Sequence, residues 1–233
     1  RRRRPVRPPV SSRHPATPRG RSGRPEPAVT EPAPTLLGMI PGEVAAFAVT
    51  PPGRGEPHAA LLHEGRCRIA PLAEAVEAAR ALEADRSPRW VWWSAEAGAA
   101  PLVDAGVPVA RAWDVAEAHR LLHGGWSATA GQCWAAAHGI PLEGVPVAPT
   151  GDLFEFAADA PPTDPDSAVD PAGHLRGDQD QWLREPGHLQ AWAHAALETA
   201  HLQHDAAAAG SVRLVGTVLS ESAAAVLCLA LRR

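Results

Sequence analysis

The stretch from Arg89 to Leu122, RWVWWSAEAGAAPLVDAGVPVARAWDVAEAHRLL, constrains the fold more than any other part of the chain. Trp90 to Trp93 is dense in aromatic and β-branched residues, a composition that fits a buried strand. The alanine-rich segment after it reaches Leu102 and Val103 and stops at Asp104-Ala105-Gly106, where glycine can take the left-handed conformation that closes a helix. Val107, Val109 and Ala110 predict a second strand. Asp114 then stands where a carboxylate accepts the free N–H groups of a helix over Val115 to Leu122. The unit reads strand, helix, strand, helix.

Three short extended segments precede it: Val44 to Thr50, His58 to Leu62 and Cys67 to Ala70, joined by tight turns that imply antiparallel pairing. Leu72, Val76, Ala79 and Leu82 follow at helical spacing, with Pro71 at the entrance, where its missing N–H costs nothing. Downstream, Ala128 to His138 predicts a helix with Ser127 as N-cap and Gly139 as stop. Residues 141 to 187 are rich in Pro and Asp and read as a linker or insertion, with Leu153, Phe154 and Phe156 as a lone apolar island expected to dock on the domain. Leu189 to Gln203 places Leu189, Trp192, Ala196, Leu197 and Ala200 on one helical face. Val212 to Leu219 predicts a strand, and Ser220 with Glu221 a final helix. The expected class is α/β, a mixed sheet flanked by helices.

Every one of the 22 basic residues is arginine, and the net charge of −4 gives no global attraction to a polyanion. Residues 1 to 40 carry nine arginines ahead of Glu26 among Pro, Ser and Gly, and are expected to be disordered, either as a phosphate-screening arm or as an extension without a role. Cys67, Cys133 and Cys228 are widely spaced with no CxxC, which suggests a reducing compartment and neither a disulfide framework nor a thiolate metal site. No apolar run of about 20 residues stands out, so no membrane span is expected. The Arg-rich start leads into no apolar core of a signal peptide.

The words RWVWW, LVDAGVPVARAWDVAEAHRLL, the DLFEF run at Asp152 to Phe156 and SESAAAVL near the end together resemble the 3′-to-5′ exonuclease region of family A DNA polymerases, in particular actinobacterial bifunctional 3′-to-5′ exonuclease/DNA polymerase proteins. The resemblance covers Val44 to the C-terminus. It implies a ribonuclease-H-like, DnaQ-type fold. The division that follows is a disordered arm (1–40), an exonuclease-like α/β domain (41–140), a Pro/Asp-rich linker or insertion (141–187), a closing helix (188–210) and the opening of a polymerase domain (211–233). Glu221-Ser222-Ala223, with Val226 and Leu227, resembles the helix that begins that module. A full-length protein of this kind implies primer-template DNA as partner, Mg²⁺ as cofactor, and a cytoplasmic, nucleoid-associated location.

Exonucleases of this family hold two metal ions with four carboxylates, which activate a water and stabilise the leaving oxygen. The positions that match their acids read Ala48, Thr50, Gly98 and Ala196, and the companion Asn and Tyr positions read Ser94 and Trp192. The resemblance thus implies a degenerate site with no metal set and no catalytic group, a scaffold or DNA guide. Glu96 is a single acid in another register. The remaining candidates come from the residues themselves. Arg66, Arg68, Arg86, Arg89 and Arg111 would form a basic rim for a phosphate backbone if they share a face. The pair His119 and His123, and the set His194, His201 and His204, have helical spacing that zinc ligands use, yet no HExxH accompanies them. Trp90, Trp92 and Trp93 read as core by alternation, with base stacking as the other use of such residues. The alternative reading of the whole chain is a small non-catalytic α/β interaction domain.

Overall fold

The computed structural model describes residues 40, 42–53, 55–146 and 164–232. The expected arm over 1–40, except Ile40, and the Leu153, Phe154 and Phe156 island lie outside them. Strand β1 (Val44–Val49) turns through Pro51 to Pro57 into β2 (His58–His63), and a two-residue turn at Glu64-Gly65 leads to β3 (Arg66–Pro71). Both turn residues have positive φ, 49° and 72°, as a tight hairpin between right-twisted strands requires. Helix α1 (Leu72–Arg86) follows at once and closes at Ser87, and β4 (Arg89–Trp92) returns to the sheet beside β1. β1 and β4 are parallel neighbours, with Val44 opposite Arg89, while β2 runs antiparallel to both β1 and β3. The sheet order is β3-β2-β1-β4-β5.

Period-two alternation buries both faces of this sheet. Ala46, Ala48, Val91, Trp93 and Trp113 point into one core, and Ala45, Phe47, Trp90, Trp92 and Ala112 into the other. The first core is covered by α6 (Leu189–Gly210) through Trp192, Ala193, Ala196 and Ala200, together with α3 (Val115–His123) and α4 (Ala130–Ala137). The second is covered by α1 through Ala75, Val76 and Ala79 and by Leu102 of the short α2 (Ala100–Asp104). So many alanines suit the sites where a helix must lie close on the sheet.

One buried carboxylate holds α1 to its neighbours. Glu83 is 3% exposed. One of its oxygens accepts the Trp90 indole N–H at 2.7 Å and the other the Ala110 backbone N–H at 3.0 Å.

Four local expectations are corrected. The second strand of the central unit is β5 (Ala112–Asp114), not Val107 to Ala110. Val107 and Val109 spend their N–H groups on turn bonds to Leu102 and Val107, so the ladder with β4 begins only at Ala112 opposite Trp90. The cap of α4 is Thr129, not Ser127. The Thr129 hydroxyl and the Gln132 side chain bond each other's backbone N–H reciprocally. Val212 to Leu219 is helical, the first half of α7 (Val212–Leu231), which Ser211 caps at Leu214 N–H. The helix packs against β5, α3 and α6, so the β5 side of the sheet is covered by a helix, and among the described residues no sixth strand pairs there. α7 is also long and apolar enough by length and composition to cross a membrane, which reading its first half as a strand conceals. In the fold Val218, Ser222, Val226 and Leu229 of α7 are buried, while Val212, Leu227 and Leu231 stand exposed. The segment 164–188 holds the short α5 (Gln179–Trp182), where Arg176 lies over Trp182 and pairs with Asp178 at 2.9 Å.

Glu83→Ala leaves the buried Trp90 indole N–H and the part-buried Ala110 N–H without an acceptor. It is expected to lower the unfolding free energy by about 2–4 kcal/mol, measured by urea denaturation, with Trp90→Phe costing less because it removes a donor and leaves the acceptor partly satisfied.

Candidate functional site

At the carboxyl end of the parallel strands, β4 delivers its chain into an irregular turn. Trp93 crosses to the face opposite Trp92 and packs on Trp192, ring centroids 5.0 Å apart. Ser94 is extended and accepts the Ala97 N–H at 3.3 Å. Ala95–Ala99 then forms a single π-helical turn before α2. Such turns carry one residue more than an α-helix allows, and they concentrate at functional sites. Gly98 permits the turn to close. A Cβ there would lie 2.4 Å from the Trp92 Cβ and 3.3 Å from the Phe47 carbonyl oxygen.

Two cavities open on either side of this turn and share Ser94 and Glu96. The larger, of about 810 Å³, is lined by Thr50, Ser94, Trp93 and Trp192, with Glu56, Glu96, Asp180 and Arg184 as its charged groups. Three widely separated positions singled out by sequence, Thr50, Ser94 and Trp192, therefore meet at one cleft. The other three do not present themselves to it: Ala48, Gly98 and Ala196 are buried. The Thr50 hydroxyl is already engaged, donating to the His58 carbonyl at 3.3 Å and accepting the His58 N–H at 3.0 Å. Arg184 and Glu56 were not legible in the sequence as lining groups, since each lies in an irregular segment with no period.

The smaller cavity, of about 590 Å³, has Asp114 at its base and Glu117, Arg120, Glu221, Arg232 and Trp126 around it. Asp114 is the N-cap of α3, as expected, with one oxygen accepting Glu117 N–H at 3.0 Å. The other oxygen accepts Ala95 N–H at 2.5 Å, so the same carboxylate also starts the π-helical turn. Its own backbone N–H donates to the Ser222 hydroxyl of α7 at 2.9 Å. Burial pushes this carboxyl up to about 6, against the pull of the backbone N–H donors. Glu96 pairs with Arg232 at 3.3 Å, and Arg120 with Glu117 at 2.6 Å. Trp126, 96% exposed, is the group sequence reasoning passed over; the two glycines before it, both at positive φ, lift it off the surface.

The five candidate arginines do not surround either cavity. Arg66 opens β3 opposite His63, and Arg89 opens β4 opposite Val44, at the other end of the sheet. Arg86 pairs there with Asp85 at 2.7 Å, and its neighbouring carboxylates, Asp85 first, hold its guanidinium above the ordinary range. Burial, then the charge of Arg111, pushes Arg89 down. Arg111 donates to the Ser87 carbonyl, and Arg68 pairs with Glu74 at 3.6 Å on the outer strand. Arg66, Arg86, Arg89 and Arg111 thus share that end of the sheet, with Glu43, Glu64 and Asp85 among them.

The histidines gather only as a pair. His119 and His123 lie tilted against each other with centroids 4.9 Å apart, His119 being buried and pushed down first by that burial. His204 packs on Trp113, His201 is half-buried and pushed down by desolvation, and His194 faces solvent. Trp90 and Trp92 are wholly in the core, and Trp93 is 7% exposed. No known protein family, curated protein or solved structure matches the chain.

Two outcomes follow from this geometry. Gly98→Ala is expected to lower the unfolding free energy by about 1–3 kcal/mol, read from denaturation midpoints, because Trp92 and the strand backbone have no room to retreat. Asp114 binds its proton more tightly folded than unfolded, so its stabilising contribution is complete below the ordinary 3.8 and is lost as pH rises through about 6. The stability of the protein relative to Asp114→Asn should fall by about 2 kcal/mol between pH 4 and roughly 6.5; a flat difference across that window would show that the carboxyl titrates normally.

Proposed function

We propose that the chain is the N-terminal region of a family A DNA polymerase, in which a degenerate 3′-to-5′ exonuclease-like domain of ribonuclease-H-like, DnaQ-type architecture supports the polymerase and guides DNA. One observation carries the reading. Thr50, Ser94 and Trp192, matched to the nuclease motifs by sequence and separated by as many as 142 positions in their numbering, line one cleft at the carboxyl ends of adjacent parallel strands. The mixed sheet with β1 beside β4 is the arrangement this family likeness implies.

Of the motif positions at the cleft, none supplies a carboxylate. Among the described residues, the acids that line it, Glu56, Glu96 and Asp180, outnumber the guanidinium of Arg184, so these groups attract phosphate weakly. Mg²⁺ and nucleotidyl transfer belong, on this reading, to the polymerase module that α7 begins, in a cytoplasmic, nucleoid-associated enzyme.

The same acidic balance, with the exposed indole of Trp126, favours a second reading: a non-catalytic α/β interaction domain without a nucleic-acid role.

Purified chain incubated with 5′-labelled single-stranded DNA and primer-template, in Mg²⁺ and in Mn²⁺, is expected to leave the label at full length and to retain both DNAs at low salt, with the logarithm of the association constant falling linearly in log[salt]. Shortened products would overturn the degenerate-site reading. Unretarded DNA at low salt would favour the interaction domain.

A further inference from the structure

The other end of the sheet carries a cluster that neither reading uses. Glu43, just before β1, and His63, the last residue of β2, face each other with Glu43 Oε1 2.6 Å from His63 Nε2. Glu64, the next residue, sits in the hairpin turn, and one potential ligand atom from each of the three lies within 4.8 Å of the others. We propose that Glu43, His63 and Glu64 form a Zn²⁺ site that staples the start of β1 to the β2–β3 turn.

The donor set decides the metal. An imidazole nitrogen with two carboxylates suits Zn²⁺, whose nitrogen and oxygen bonds of about 2.0–2.2 Å put neighbouring tetrahedral ligands about 3.3 Å apart. The His63 to Glu43 separation must therefore open by about 0.7 Å, and Glu64 must swing inward. Side-chain rotation provides both, because Glu43 and His63 are only partly exposed at 27% and 19% while Glu64 is exposed at the rim. Mg²⁺ demands six oxygens and gains nothing from the imidazole. Three protein ligands leave a fourth position for water, and the metal would tie the start of β1 to the β2–β3 turn.

Nearby charge sets the affinity. Arg86 lies close enough to Glu43 and Glu64 to be held charged by both, and Arg66 is the cross-strand neighbour of His63. These guanidinium groups oppose a dication and weaken the site. Arg86 is itself engaged by Asp85 at 2.7 Å, so it does not fill the ligand position.

The backbone supplies a variant that separates metal binding from folding. Glu64 has φ of 49°, a conformation that costs any residue with a Cβ and costs glycine nothing. Glu64→Gly deletes a ligand while leaving the hairpin at least as stable. The experiment titrates the reduced 233-residue chain with ZnCl₂ by thermal shift and with Co²⁺ by visible absorption, alongside Glu64→Gly, Glu43→Gln and a His194→Gln control.

The expected result is saturable one-to-one binding that raises the melting temperature of the wild type and of the control. Affinity should be lost by more than about tenfold in the Glu64 and Glu43 variants, since even groups that merely support a ligand are worth that much. Equal titration of Glu64→Gly and wild type, absence of binding in the wild type, or a thiolate-to-cobalt band from Cys67, Cys133 or Cys228 would each overturn the assignment. MgCl₂ at the same concentration should leave the melting temperature unchanged, and an equal rise with Mg²⁺ would equally refute the site.

Discussion

The carboxylate of Asp114 is the joint on which the functional end of this fold turns. Two helical segments begin within its reach, the π-helical turn at Ala95 and α3 at Val115, and each would otherwise leave buried N–H groups without partners. A single side chain satisfies one donor from each. Because its own N–H is held by Ser222, the joint also reaches α7. The walls of both cavities are thereby referenced to one buried group, and the positions of Ser94 and Glu96 between them follow from it. Burial of a charge without a cationic partner is costly, and here backbone dipoles offset only part of that cost, which is why the carboxyl is pushed up.

Much of the framework is legible in the residues because it rests on strong periods. β1, β2, β3 and β4 show in short apolar runs bounded by Pro and Gly, α1 and α6 show in helical spacing, and the cap of α3 shows in a single aspartate. The failures have a common physical origin. Val212 to Leu219 is mostly apolar and carries the β-branched Val212, Val215, Thr217 and Val218, and a run of that length fits a strand as well as a helix until tertiary packing chooses. β5 starts later than expected because backbone N–H groups that look available are taken by a turn. Ser127 and Thr129 are equally good caps on paper, and the reciprocal bond from Gln132 selects the second.

The site was legible only in outline. Thr50, Ser94 and Trp192 could be nominated through a family likeness, whereas the charged lining, Glu56, Asp180 and Arg184, comes from segments without period or motif. Glu83 illustrates the same limit in the core. Its place on α1 suggests a solvated face, and only the arrival of Trp90 and the Ala110 backbone from elsewhere in the chain makes burial tolerable. The basic residues fail differently: five arginines can be counted from sequence, but the acids that interleave with them arrive through the fold.

Trp113 and Asp114 find their hydrogen-bond partners, Gln203 and Ser222, 90 and 108 residues downstream. On a ribosome the hairpin of β2 and β3 can close as soon as it is made, whereas β5 must wait for α6 and α7. During synthesis that strand needs shielding for longer, and α6 and α7 act as the latch that ends its exposure.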